Sequence, residues 1–254
     1  MEKKEQKPVA VVSGGLGMIG LAVTREFLAR GFSVAPLYHK TIEATVKEKL
    51  DSLSSSHVFG YQLDLTDHSE VVRTLGEIER EIGPIAVGVH AANGPILRKK
   101  VSEISLNTFR EQFLVGLFGG FNFFSALAQF MKQRKKGTLI GITTTAVEGD
   151  EPVQGSFGGY ISAKFALKGL LSELREELKP FNIHVYAVAP GFIDGGLNAD
   201  LPARLVEFMK EKSPSGKLTE PSDVAATITR LLLFPDQFSD ALTVVSDMSR
   251  KKNV

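Results

Sequence analysis

Residues 8–38 read PVAVVSGGLGMIGLAVTREFLARGFSVAPLY. Pro8 to Ser13 is short, apolar and β-branched, the composition of a buried strand. Gly14, Gly15, Gly17 and Gly20 follow at once. Ile19, Ala22, Val23 and Phe27 then recur at helical spacing, and Gly31 stands where a helix C-cap belongs. Phe32 to Tyr38 is a second strand, with Pro36 unusual inside it. Strand, glycine loop, helix and strand in this order form a βαβ unit. Glycines at such a junction let the backbone turn tightly and approach a pyrophosphate, whose charge then sits at the helix N-terminus.

The alternation continues along the chain. His57 to Leu63 reads as a third strand, closing on Asp64 and Leu65, with Asp67 or Thr66 as cap of a helix that points Val71, Val72, Leu75, Ile78 and Ile82 inward. Ile85 to Ala92 is a fourth strand, ended by the Asn93-Gly94-Pro95 turn. Ser105 to Arg134 is a long Phe-rich helix interrupted by Gly116, Gly119 and Gly120. Each glycine costs roughly 1 kcal/mol against Ala, so they point to close packing or a bend. Its phenylalanines (Phe109, Phe113, Phe121, Phe123, Phe124, Phe130) serve either the core or a helix-to-helix face between copies. Gly137 to Thr143 and Ile183 to Ala189 are further strands, the latter ending at Pro190-Gly191. Asp194 to Pro202 reads as a mobile lid. Leu205 to Lys212 and Val224 to Phe234, capped by Ser222-Asp223, are helices, and Leu242 to Val245 is a last strand. The expected fold is α/β: a Rossmann-type doubly wound parallel sheet in three layers. It reads as a single domain over 1–254, with a cofactor half at about 8–150 and a catalytic and substrate half at about 151–250.

Composition narrows the function. The 254-residue chain is 43% hydrophobic and carries 30 basic and 29 acidic residues. That balance gives no electrostatic reason to expect nucleic acid or an anionic membrane as partner. Without Cys there are no disulfides or thiolate chemistry, and the five His lack ligand spacing, so no metal is expected. No apolar run looks long enough to span a bilayer, and MEKKEQK is not a secretory signal. These features point to a soluble, cytoplasmic protein.

Residues 156–182 hold the chemistry. Ile161, Ala163, Ala166, Leu167, Leu170, Leu171, Leu174 and Leu178 form one apolar stripe of a helix that Pro180 stops. Tyr160 and Lys164, four apart, project from one face. An ammonium beside a phenol favours the phenolate, predicting a Tyr160 pKa lowered toward neutrality and a phenol able to exchange a proton with a substrate oxygen.

Taken in order, these pieces resemble the short-chain dehydrogenase/reductase family over nearly the full length. Ser13-Gly14-Gly15-Leu16-Gly17-Met18-Ile19-Gly20 looks like its cofactor loop, and Asp64 like the acidic residue that contacts the adenine. His90-Ala91-Ala92-Asn93-Gly94 stands where the family has Asn-Asn-Ala-Gly. Thr143-Thr144 stands for its Ser-Ser pair, Tyr160-x-x-x-Lys164 for the catalytic pair, and Val188 to Asp194 for the Pro-Gly loop. Gly216 to Ala225 resembles a stretch common in 3-oxoacyl-carrier-protein reductases. Departures are Met18 where the family has Gly, a glycine spacing shared with sugar-nucleotide enzymes, and Gly116 in place of an Asn that supports a proton path to the Lys. Tyr186 replaces an Asn, Gly195 replaces the Thr of the Pro-Gly loop, and Asp247-Met248-Ser249 replaces the closing Asp-Gly-Gly.

The resemblance implies an oxidoreductase that interconverts a carbonyl and a secondary alcohol, with Thr144, Tyr160 and Lys164 catalytic. Ser13, Gly14, Leu16, Gly17, Met18, Ile19, Gly20, Tyr38, His39, Lys40, Asp64, Leu65, Ala91, Ala92, Pro190, Gly191 and Ile193 would line the cofactor, with Tyr160 and Lys164. An acid at the second strand's end would repel a 2′-phosphate; Tyr38-His39-Lys40 instead favours NADP(H) over NAD(H). A non-catalytic nucleotide-binding protein and a sugar-nucleotide epimerase stay open. A small carbonyl or alcohol is the expected substrate, and the family implies a homotetramer or homodimer.

Overall fold

The computed structural model describes residues 7–39, 43–53, 55–149, 155–213, 216–238 and 242–245. Lys40 and Asp247-Met248-Ser249 lie outside them. Seven parallel strands form one sheet: β1 (Val9–Ser13), β2 (Ser33–Tyr38), β3 (Tyr61–Gln62), β4 (Ile85–His90), β5 (Gly137–Ile142), β6 (Ile183–Ala189) and β7 (Thr243–Val245). Their order is β3-β2-β1-β4-β5-β6-β7, so the order reverses between β1 and β4. Open α/β sheets bind ligands at the carboxyl ends of such a switch point.

Period-two alternation divides the core between two faces. Val9 and Val11 join Leu75, Ile78, Phe123, Leu127, Leu167 and Leu171 on one side. Ala10 and Val12 join Val23, Phe27, Val224 and Ile228 on the other. The first face is covered by α3 (His68–Glu81), α5 (Gly120–Arg134) and α6 (Gly158–Leu178), the second by α1 (Met18–Ala29) and α8 (Pro221–Leu233). Smaller helices α2 (Glu43–Asp51), α4 (Leu106–Phe113) and α7 (Ala203–Lys212) complete the order.

Several local expectations change. The third strand shrinks to Tyr61–Gln62, with one further bridge from Val58 to Val34. Val34 bonds to His57 and Phe59, and the next donor on that side of β2 would be Pro36, which has none, so the ladder breaks there. Val72 points outward, while Val71, Leu75 and Ile78 are buried. The helix expected at Val224 starts at Pro221, because Glu220 and Asp223 form a reciprocal capping box. The Phe-rich rod is not uniform: Leu114–Gly119 is a π-helical turn between α4 and α5 that holds Gly116 and Gly119, and Gly120 opens α5. As one 29-residue rod it is long and apolar enough to cross a membrane. Half of its most apolar window is buried in this fold. The phenylalanines split: Phe123 and Phe124 are core, and Phe121 is exposed. Helix α2 is absent from the expectation, although Val46, Leu50 and Leu53 have helical spacing.

Candidate active site

The glycine turn is built by contacts that exclude side chains. Gly14 is left-handed at φ 66°, and a Cβ there would lie 2.8 Å from Ala92 Cα. A Cβ on Gly20 would lie 2.1 Å from the Gly14 carbonyl oxygen. The backbone closes on itself through Gly17 N–H to Gly14 O and Gly15 N–H to Leu37 O. Helix α1 then begins with Gly17 at its cap, no capping side chain and no acid in its first turn. Free N–H groups and the helix dipole there suit a phosphate.

A cleft of about 1520 Å³ opens above this turn. Gly14, Leu16, Gly17, Met18, Ile19 and Gly20 line it from α1 and its turn. Tyr38, His39, Asp64 and Leu65 line the β2–β3 side; Ala91, Ala92, Pro190, Gly191 and Ile193 line the centre. Thr144, Tyr160 and Lys164 reach the same cleft from the β5 end and α6. Its size accommodates a dinucleotide and a substrate together. Asp64 is shaped by Thr66, whose backbone N–H and hydroxyl both donate to its Oδ1 at 2.8 and 2.7 Å. Asn122, buried on α5, donates to the Leu65 carbonyl at 2.9 Å and fixes that loop from below.

Ser13 departs from the expectation. It is fully buried beneath the turn, and its hydroxyl meets His90 Nδ1 at 2.7 Å. His90 Nε2 lies 3.0 Å from the Gly116 carbonyl. Burial first, and the charge of Lys164 second, push the imidazole down to about 3, so the ring is neutral. The Gly116 carbonyl can only accept, which places the single ring proton on Nε2 and makes Nδ1 the acceptor of the Ser13 O–H. His90 thereby ties the ends of β1 and β4 to the π-turn. In the sequence His90 stands out only as a departure from Asn, and the signal of its role is an isolated His closing a run of apolar residues.

Of the threonines after β5, Thr143 is buried and donates to the Val188 carbonyl at 3.3 Å. Thr144 is the one whose hydroxyl hydrogen-bonds Tyr160. Lys164 Nζ is 5.7 Å from the centre of the Tyr160 ring, as helical spacing requires. Its ammonium donates to the Ile142 carbonyl at 2.8 Å. The expected lowering of the Tyr160 pKa is not what this arrangement produces. Desolvation of the half-buried phenol pushes it up to about 12, and only the Thr144 hydrogen bond opposes that. Burial likewise lowers Lys164 to about 8, because an ammonium is costly away from water.

Two departures from the family pattern are matched in space. A Cβ on Gly116 would lie 2.7 Å from Asn93 Oδ1, so the amide of Asn93 takes the room a side chain at 116 would need. Met18 reaches to Gly195, where a Cβ would lie 2.7 Å from the Met18 methyl.

The segment expected to be a mobile lid is tethered. Arg98 donates to both carboxylate oxygens of Asp200 at 2.9 Å, to the Leu197 carbonyl at 2.6 Å and to Asn198 Oδ1 at 3.1 Å. Asn198 donates in turn to the Ile193 carbonyl at 2.9 Å. Lys49, outside the residues expected from sequence, also lines the cleft from α2. Among the described residues no group of three His, Cys, Asp or Glu could hold a metal.

Known proteins resemble this chain in sequence and in fold. A family model described as short chain dehydrogenase matches residues 8–205. The chain is 28% identical over 221 residues to a 3alpha-hydroxysteroid dehydrogenase of Mediterraneibacter gnavus, covering 85% of this chain and 86% of that one. It is 26% identical over 226 residues to the 3-oxoacyl-[acyl-carrier-protein] reductase MabA of Mycobacterium tuberculosis, covering 87% and 83%. A structure of NAD+-bound xylitol dehydrogenase superposes with a TM-score of 0.82 at 20% identity, covering 96% and 98%, a likeness of fold.

Proposed function

This chain belongs to the short-chain dehydrogenase family, and from that premise we propose that it interconverts a carbonyl and a secondary alcohol with NADP(H), using Tyr160 as the proton donor and acceptor. As a member it is an NAD(P)-dependent oxidoreductase of CH–OH and C=O groups. The observation that carries the finer reading is the meeting of Thr144, Tyr160 and Lys164 in the cleft above the glycine turn.

The residues fit the cofactor. The uncapped start of α1 receives phosphates, and Gly14, Gly17 and Gly20 keep side chains off that path. Bound there, the nicotinamide supplies or takes the hydride. Tyr160, protonated over the whole working range, gives its proton to the carbonyl oxygen, or accepts one in the reverse direction. The Thr144 hydroxyl orients that oxygen, a contribution of about 2 to 4 kcal/mol by comparison with other oxyanion donors. Lys164, its ammonium aligned by the Ile142 carbonyl, would hold the nicotinamide ribose.

Selectivity for NADP(H) is supported by the end of β2, where Tyr38 and His39 hold the position at which an acid would repel a 2′-phosphate. The substrate wall combines Val115, Phe157, Leu197, Leu201, Leu205 and Met209, which suits a carbonyl on an apolar skeleton, as in a 3-oxoacyl chain. Exposed Phe118, Phe121 and Phe165 on the outer sides of the π-turn, α5 and α6 make a face for homodimer or homotetramer assembly. Tyr160→Phe tests the central claim. Turnover of any reducible carbonyl should vanish while NADPH binding by fluorescence stays nearly intact; near-normal rates in that variant would remove Tyr160 from the chemistry.

A further inference from the structure

We propose that Lys49, on α2, is the cation that reads the 2′ substituent of the adenosine ribose and sets the preference for a 2′-phosphate. The inference rests on the NADP(H) reading above and names the residue that produces it.

Helix α2 packs by Val46 and Leu50, with Leu53 continuing the stripe in the turn after it. Lys49 lies beside that stripe, is half-buried, and extends its stem toward the glycine turn. Its Nζ donates to the Leu16 carbonyl at 2.8 Å. An ammonium carries three donors, so this one bond leaves two. Among the described residues no carboxylate lies within ion-pair distance of it. It lines both the main cleft and a side recess of about 240 Å³, whose walls include Leu16, Gly17, Tyr38 and His39. That recess lies between the glycine turn and the end of β2, where a dinucleotide fold places the adenosine ribose.

The neighbouring cation is differently engaged. His39 Nε2 faces Asp64 Oδ2 at 3.7 Å, so its charge, when present, is shared with a carboxylate. Lys49 has a fixed position, an uncompensated charge and a cavity in front of it. A ribose 2′-hydroxyl would use little of that charge; a phosphate dianion would use it fully, through a charge-assisted hydrogen bond. A pyrophosphate is a poorer candidate, since the start of α1 already presents backbone donors to it.

The test measures dissociation constants of NADPH and NADH, and of the fragments 2′-AMP and 5′-AMP, for the full-length protein, Lys49→Met and Lys49→Arg. Met keeps the apolar stem, and circular dichroism of each variant checks the fold. In Lys49→Met the NADPH over NADH preference should collapse by roughly 10-fold, with 2′-AMP binding falling in parallel and 5′-AMP much less. Lys49→Arg should keep most of the preference. If NADPH and NADH weaken equally, or neither changes, Lys49 only braces the Leu16 turn and the proposal fails while the cofactor reading stands. If the unaltered protein binds NADH more tightly, the NADP(H) reading fails. The fragments then decide on Lys49 separately: unchanged 2′-AMP binding in Lys49→Met overturns its role as well.

Discussion

The glycine turn at residues 13–20 and the loop at residues 193–202 face each other across the cleft and touch where Met18 meets Gly195, yet they are held by opposite means. The turn is held by backbone. Its backbone hydrogen bonds run between residues close in sequence or on the adjacent strand, with Lys49 reaching in from α2 to the Leu16 carbonyl, and Gly14 and Gly20 are kept from growing side chains by other backbone atoms. The loop is held by one long side chain from far away in the sequence, Arg98, backed by Asn198. Backbone contacts of the first kind cannot yield to a substitution. Side-chain contacts of the second kind can be broken and re-formed, as in segments that open and close over a ligand.

The sharpest way to break this contrast is in the turn. Gly20→Ala places a Cβ 2.1 Å from the Gly14 oxygen, with no flexible side chain to move aside. A loss of about 3 kcal/mol or more in urea unfolding is expected, together with loss of cofactor binding. A variant as stable as the parent would show that the turn is softer than its geometry implies.

Between the two regions sits Lys164, and its burial has a pH signature. Its folded pKa, about 8, is below the ordinary 10.5. Below about pH 8 both the folded and unfolded chains carry the proton, and the folded state bears the full desolvation cost. From about 8 to 10.5 the folded lysine releases its proton while the unfolded one keeps it, so stability rises with pH, by roughly 3 kcal/mol from this group. Tyr160 acts oppositely: its pKa of about 12 exceeds the ordinary 10, so above pH 10 the unfolded phenol ionises first and stability falls. Denaturation of the cofactor-free protein at intervals across that range should show the rise, and Lys164→Met should flatten it. An equal slope in both proteins would show that Lys164 is hydrated.

The smallest effect belongs to the loop. Arg98→Ala removes its tether and should raise KM for the carbonyl substrate about 10-fold, roughly 1.4 kcal/mol, with cofactor affinity and kcat less altered. An unchanged KM would mean that the ion pair with Asp200 is a surface contact of little consequence.

The same contrast explains what could be read in advance. The turn, the seven strands, the Tyr160–Lys164 pair and the stripe of α6 were legible because each is a short-range pattern: a periodicity, a spacing or a glycine at a junction. Ser13 was misplaced because a strand's end does not say which face its side chain takes. The lowered pKa expected for Tyr160 failed because spacing reveals a neighbouring charge but not the loss of water, which dominates here. The tethered state of residues 194–202 was hidden because Arg98 is about a hundred positions away.

Local order in the chain was therefore enough for the alternation of strands and helices, the parallel sheet and the placing of Tyr160 and Lys164 on one helix face, since propensity, periodicity and turn chemistry act over a few residues. Only folding could bring Asn93 into the space left at Gly116, Met18 against Gly195, His90 between Ser13 and the π-turn, and Lys49 to the rim of the glycine loop. Those pairings join segments that no periodicity relates, and they exist because close packing and the need to satisfy buried polar groups act on whatever the fold has made adjacent.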